Sequence, residues 1–139
     1  MGAVAITPDV LAKIYQHARD AFPEECCGYL VGATGVDEIV PCTNTQDAPD
    51  RGPDRGFAID GAELLAFARS FDGPRPARVV YHSHPNGRAY FSDTDRDLAI
   101  DAQYPVQHLV VGVEANGVVE CAQFAVAGNE IVELARWRA

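Results

Sequence analysis

At 139 residues, 47% hydrophobic and 22% charged, the chain has the make-up of one soluble globular domain with a full core. A net charge of −9 disfavours sequence-independent binding to nucleic acid or to an anionic membrane surface. No apolar run approaches membrane-spanning length and no basic-then-apolar leader is visible, so a cytoplasmic location is expected.

Thr7-Pro8-Asp9 predicts a helix start: a hydroxyl N-cap, proline at the first helical position, then an acid that complements the dipole. Val10, Leu11, Ile14, Tyr15, Ala18, Ala21 and Phe22 follow with helical spacing, and Pro23 stops the helix. His17 lies off that stripe and reads as a solvated surface histidine. Residues 26–33 read as a strand, with 38–42 as its partner across a glycine-containing turn. The polar stretch 43–56 is long for a connection and reads either as a lid or as a surface loop. Phe57-Ala58-Ile59 reads as a short strand. Asp60 and Glu63 suggest a capping box for a second helix carrying Leu64, Leu65, Phe67, Ala68 and Phe71, which Asp72-Gly73-Pro74 breaks.

Arg78-Val79-Val80-Tyr81 then reads as a buried strand, short, β-branched and aromatic. Alternate side chains of a strand share a face, so His82 and His84 point the same way. Pro85 ends the strand, and a loop leads to a third helix running from Ser92 to about Gln103, with Leu98, Ala99 and Ala102 inward. Asp95 falls in its first turn and faces back to the imidazoles. Ser92-x-x-Asp95 nearly matches a capping box and would cap this helix even without a site. Two imidazoles and one carboxylate leave a fourth tetrahedral position open, which is the ligand set of a catalytic zinc ion, Zn2+. The conjunction favours metal.

Strands over 107–114 and 118–126 join at Ala115-Asn116-Gly117, a hairpin signal, and Ala127-Gly128-Asn129 turns into a last strand over 130–134. His108 begins a strand with no carboxylate at ligand spacing and reads as structural. The four cysteines, Cys26, Cys27, Cys42 and Cys121, form no C-x-x-C pair. They read as small, reduced, buried hydrophobes, with a reactive thiol as the alternative. The element order predicts an α/β fold: a single domain over 1–139, a mixed β-sheet packed by about three helices.

Zinc-assisted hydrolysis needs a general base that is not itself a ligand. Glu24 and Glu25 stand at a helix-to-strand junction, where neighbouring side chains point to opposite faces. Pattern alone does not choose between them.

Together these residues resemble the JAMM (MPN-plus) metalloprotease family. Its pattern is a glutamate after a proline at the first strand, then His-Ser/Thr-His-Pro, six residues, and Ser-x-x-Asp. Here Pro23-x-Glu25 precedes Cys27-Gly28, and His82-Ser83-His84-Pro85 is followed after six residues by Ser92-x-x-Asp95. The resemblance implies an MPN, cytidine-deaminase-like fold, zinc held by His82, His84 and Asp95, and Glu25 as the base. It implies Ser92 as a hydrogen-bond donor to the water or the oxyanion. Glu25-x-Cys27-Gly28 and the run from Arg55 to Asp60 resemble the short bacterial Mec-like members. That likeness implies a ubiquitin-like sulfur-carrier protein with a Gly-Gly-type tail as partner, and release of cysteine from it.

Two other readings stand beside this one. Two histidines and a carboxylate also form the facial triad of non-haem iron enzymes, although those take one histidine from far along the chain. A catalytically silent MPN scaffold that binds a ubiquitin-like or other protein partner is the alternative from a different class. A scaffold has no physical need for a complete, open ligand set.

Overall fold

The computed structural model describes residues 2–46 and 57–139. Most of the predicted 43–56 loop, and with it the lid reading and Arg55-Gly56, lies outside the described residues. The elements run α1 (Pro8–Ala21), β1 (Cys27–Val31), β2 (Glu38–Cys42), α2 (Gly61–Ser70), β3 (Ala77–His84), α3 (Asp93–Ala102), β4 (Gln107–Glu114), β5 (Gly117–Ala127) and β6 (Glu130–Arg138). They form the mixed sheet and three helices that the sequence predicts.

The six strands lie in the order β2-β1-β3-β4-β5-β6. Only β3 and β4 are parallel, because α3 carries the chain back between them; the other neighbours are antiparallel. Thr7 caps α1 by accepting the Val10 N–H at 3.3 Å. Val10, Ile14 and Ala18 then bury against Leu30, Val79, Tyr81, Leu109 and Val111 on one face of the sheet. Phe67 of α2 packs with Tyr29 and Val80 on the opposite face, beside Val110, Ala122 and Phe124. The two-residue period of β3 therefore sends Tyr81 towards α1 and His82 and His84 towards α2 and α3.

Several local expectations are corrected. Residues 57–59 form no strand: Ala58 donates to Asn44 Oδ1 at 3.1 Å, and its carbonyl accepts from Thr45 N–H at 2.9 Å. Asp60 makes no side-chain cap, because Glu63 instead accepts from the Thr43 N–H at 3.0 Å. On α3 the inward pair is Asp95 and Ala99, whereas Leu98 is 51% exposed. His17 is half-buried, not solvated: its Nδ1 lies 2.6 Å from the Tyr81 hydroxyl, a buried group that needs a partner. Strand β6 runs past 134 to Arg138, held by Trp137 Nε1 donating to Tyr15 Oη at 2.9 Å.

Gly112 on β4 lets the loop after β3 sit against the sheet. A Cβ there would lie 2.5 Å from the carbonyl carbon and oxygen of Gly87 and 2.7 Å from Arg88 N. These are backbone atoms and cannot rotate away. Gly112→Ala is therefore expected to destabilise the fold by about 1–3 kcal/mol, read from its urea midpoint.

Candidate active site

The site sits where β1 and β3 run side by side below the start of α3. Cys27 pairs with His82 across the ladder. Two residues back along an antiparallel strand, Glu25 comes level with His84 and on the same face as His82. Ser83 fixes that register: its Oγ accepts the Cys26 N–H at 2.8 Å, and its own N–H donates to Cys26 O at 3.1 Å. Asn44 adds a third tie by donating from Nδ2 to the Glu25 carbonyl at 2.9 Å. Glu25 is buried, with 5% of its surface exposed, while Glu24 is exposed. The junction thus turns one acid in and its neighbour out.

Asp95 reaches the imidazoles from α3. Its Oδ2 lies 3.0 Å from His82 Nε2 and 3.1 Å from His84 Nε2, and the two ring nitrogens are 3.2 Å apart. The capping box is complete: Ser92 Oγ accepts the Asp95 N–H at 3.0 Å, and the Ser92 N–H donates to Asp95 Oδ2 at 3.1 Å. The cap therefore aims the carboxylate, so the bland and the functional readings of Ser-x-x-Asp describe one arrangement. A carboxylate oxygen of Glu25 and one nitrogen of each imidazole lie within 4.8 Å of one another.

The donor set suits a small cation. Around tetrahedral zinc with bonds of roughly 2.0–2.1 Å, neighbouring ligand atoms stand about 3.3 Å apart, close to the spacing here. Both Nδ1 atoms are buried with no hydrogen-bond partner among the described residues. Rings carrying their proton there turn two bare lone pairs and a carboxylate oxygen towards one point, which repels unless a cation lies between them. Burial pushes the His82 imidazole down, against the pull of Asp95, so it is neutral as a metal ligand must be. Burial also opposes ionisation of Asp95, and it is positive charge at the rings, a shared proton or a cation, that holds the carboxyl well below the usual carboxylate range. Phe57 stacks on His82 with ring centroids 4.6 Å apart and keeps water off that side.

His108 stays outside this cluster, as the structural reading expects. It packs edge-on against Phe91, and burial, assisted by His82, pushes it down to about 4. A thiol nucleophile is disfavoured: burial pushes Cys26, Cys42 and Cys121 each up to about 11, and Cys27 higher still. All four cysteines are free and buried, as the hydrophobe reading predicts.

Residues 7–127 match the family described as prokaryotic homologs of the JAB domain, and the match spans most of the chain. The chain is a JAB-family protein. Curated relatives named CysO-cysteine peptidase, from Mycobacterium tuberculosis and Mycobacterium bovis, are 35% identical over 107 residues, covering 73% of this chain and 70% of theirs. Among solved structures, a protein from Desulfitobacterium hafniense superposes with a TM-score of 0.69 at 27% identity, covering 91% of this chain and 86% of its own. A JAB1/MPN domain protein from Archaeoglobus fulgidus shares the fold, with a TM-score of 0.51 at 20% identity over 89% of this chain and 90% of its own. The JAB assignment and the peptidase-named relatives support a hydrolase of peptide-type bonds. Within this JAB domain, the sequence reading passes over Asn44 and gives Ser83 no task of its own. Neither carries a local signal, since their partners lie 19 and 57 residues away.

Proposed function

We propose that this JAB-domain protein is a zinc-dependent peptidase that cleaves the amide bond at the C-terminal tail of a ubiquitin-like sulfur-carrier protein and releases cysteine. The observation that carries the reading is the convergence of two buried imidazoles and a capped carboxylate, with a buried glutamate in reach. The name of the mycobacterial relatives supports the carrier and the leaving group.

His82, His84 and Asp95 would hold the zinc. Bound there, zinc would polarise the scissile carbonyl and acidify the attacking water. Glu25, not needed as a ligand, takes the proton from that water as its oxygen bonds to the carbonyl carbon. It then returns the proton to the cysteine nitrogen as the carbon–nitrogen bond breaks. Ser92 Oγ is an acceptor in the cap, which leaves its hydroxyl hydrogen to donate to the developing oxyanion. The products are the carrier carboxylate and free cysteine. No helix among the described residues is long and apolar enough to cross a membrane, in keeping with the cytoplasmic location proposed here for a carrier-processing enzyme.

Incubation with a carrier ending in Gly-Gly-Cys should give a product lighter by one cysteine residue in the mass spectrum, with close to one zinc per chain by metal analysis. A chelator should reduce the rate by at least about 100-fold, and added zinc should restore it. A zinc-loaded protein that binds the carrier tightly and leaves its mass unchanged would establish the scaffold reading instead.

A further inference from the structure

A cavity of about 310 Å³ opens directly beside the site, between α2 and α3. His82 and Asp95 form part of its wall, and Phe57, Leu64, Phe67, Phe91 and Leu98 are among the rest. This volume is at the lower end of what small-molecule pockets hold, roughly 300–1,000 Å³. A cysteine side chain, one carbon and one sulfur, would leave most of it unfilled. The rim is also apolar: Leu64, Leu98 and Tyr104 are 37%, 51% and 41% exposed. Large hydrophobic groups left in water around an apolar hollow, at the edge of a reaction centre, are ordinarily covered when substrate arrives.

The packing gives the hollow a fixed shape. Phe67 packs edge-on against both Tyr29 and Tyr104, with ring centroids 5.1 and 5.0 Å apart, so the floor is pinned to β1 and to the chain beyond α3. Phe57 lies flat on His82. A group entering the cavity therefore touches a ring already stacked on a candidate ligand. His82 and Asp95 belong both to the candidate ligand set and to the wall of the hollow, so the hollow adjoins the reaction centre.

We propose that this cavity is a subsite for a large apolar or aromatic side chain of the substrate, one or two residues from the cleaved bond. The inference rests on the peptidase reading and narrows it. The preferred tail carries a bulky hydrophobic residue near the cut, and Gly-Gly-Cys alone is a minimal substrate. Discrimination comes from burying that side chain among Phe57, Phe67 and Leu98, and it should favour phenylalanine or leucine over alanine by about tenfold or more in kcat/KM.

The test uses the zinc-loaded protein and carrier tails in which each of the two residues on either side of the cut is in turn Ala, Leu or Phe. One position should show the preference. Ala102 lines the cavity at the end of α3, about two turns along the helix from Asp95, so Ala102→Trp narrows it. That variant should lose the preference, cleaving the phenylalanine and leucine tails no faster than the alanine tail. Cleavage indifferent to side chain at all four positions, or a preference undiminished in Ala102→Trp, overturns the subsite. A second measurement is independent of turnover: titration with N-acetyl-phenylalanine amide should shift the NMR signals of Phe57, Leu98 and Tyr104, and N-acetyl-alanine amide should not. Shifts without hydrolysis of any tail keep the subsite and reject the peptidase reading. The absence of shifts rejects the subsite even where tails are cleaved.

Discussion

Glu25→Gln is expected to lower the rate of carrier–cysteine hydrolysis by about 10²–10⁴-fold while zinc content stays at the parent level. Glutamine keeps the shape of a side chain that is only 5% exposed. It also keeps the backbone ties, because Asn44 bonds the Glu25 carbonyl and Ser83 bonds Cys26. What disappears is the atom that accepts and returns a proton. Glu24→Gln, on the exposed side of the same junction, should leave the rate within about twofold, as surface changes do. Metal analysis beside the rate makes the result diagnostic. A slow variant with full zinc identifies a base; a slow variant that has shed its zinc identifies a ligand. A variant within about threefold of the parent removes Glu25 from the mechanism.

What could be read from the sequence was whatever depends on short-range geometry. The face shared by His82 and His84 follows from strand period, and Asp95 follows from a cap three residues long. The hairpin at 115–117 and the N-cap at Thr7 are likewise local, and each forms as expected. The choice of Glu25 over Glu24 needed the family resemblance. The ladder then supplies a physical ground, since Cys27 opposite His82 turns Glu25 towards the imidazoles.

Most of the errors share one cause. Asp60 and Glu63 have the spacing of a capping box, yet Glu63 goes to the Thr43 N–H, 20 residues earlier. Phe57-Ala58-Ile59 has strand-like side chains, yet Asn44 and Thr45 take up the backbone of Ala58 before any strand can. His17 looks solvent-facing by helical spacing, but the Tyr81 hydroxyl reaches it from the sheet. In each case a polar group found a partner far along the chain, which no window of a dozen residues contains. Leu98 and Ala102 have the spacing of an inward face for a different reason: they line a hollow instead of a packed core and stay exposed.

Asp95→Ala should remove zinc, reaction and part of the fold's stability together, and Asp95→Asn should separate them. The carboxylate has two tasks that share one oxygen: Oδ2 faces both imidazoles and also accepts the Ser92 N–H. Asparagine can still accept that N–H through its amide oxygen, so the cap survives. It carries no charge, so a cation held by two neutral imidazoles loses its anionic partner. Changing a residue that merely supports a zinc ligand weakens binding about 10–100-fold; losing the charged ligand itself should exceed about 100-fold. Hydrolysis should fall with the zinc. Alanine loses the cap as well and should cost about 1 kcal/mol more than asparagine in urea denaturation with chelator present, where metal contributes to neither variant. The comparison with Glu25→Gln is then decisive, because both acids lie within reach of the same two rings. Zinc retained by Glu25→Gln and lost by Asp95→Asn assigns base and ligand as proposed. The reverse pattern would make Glu25 the ligand and leave Asp95 as a helix cap.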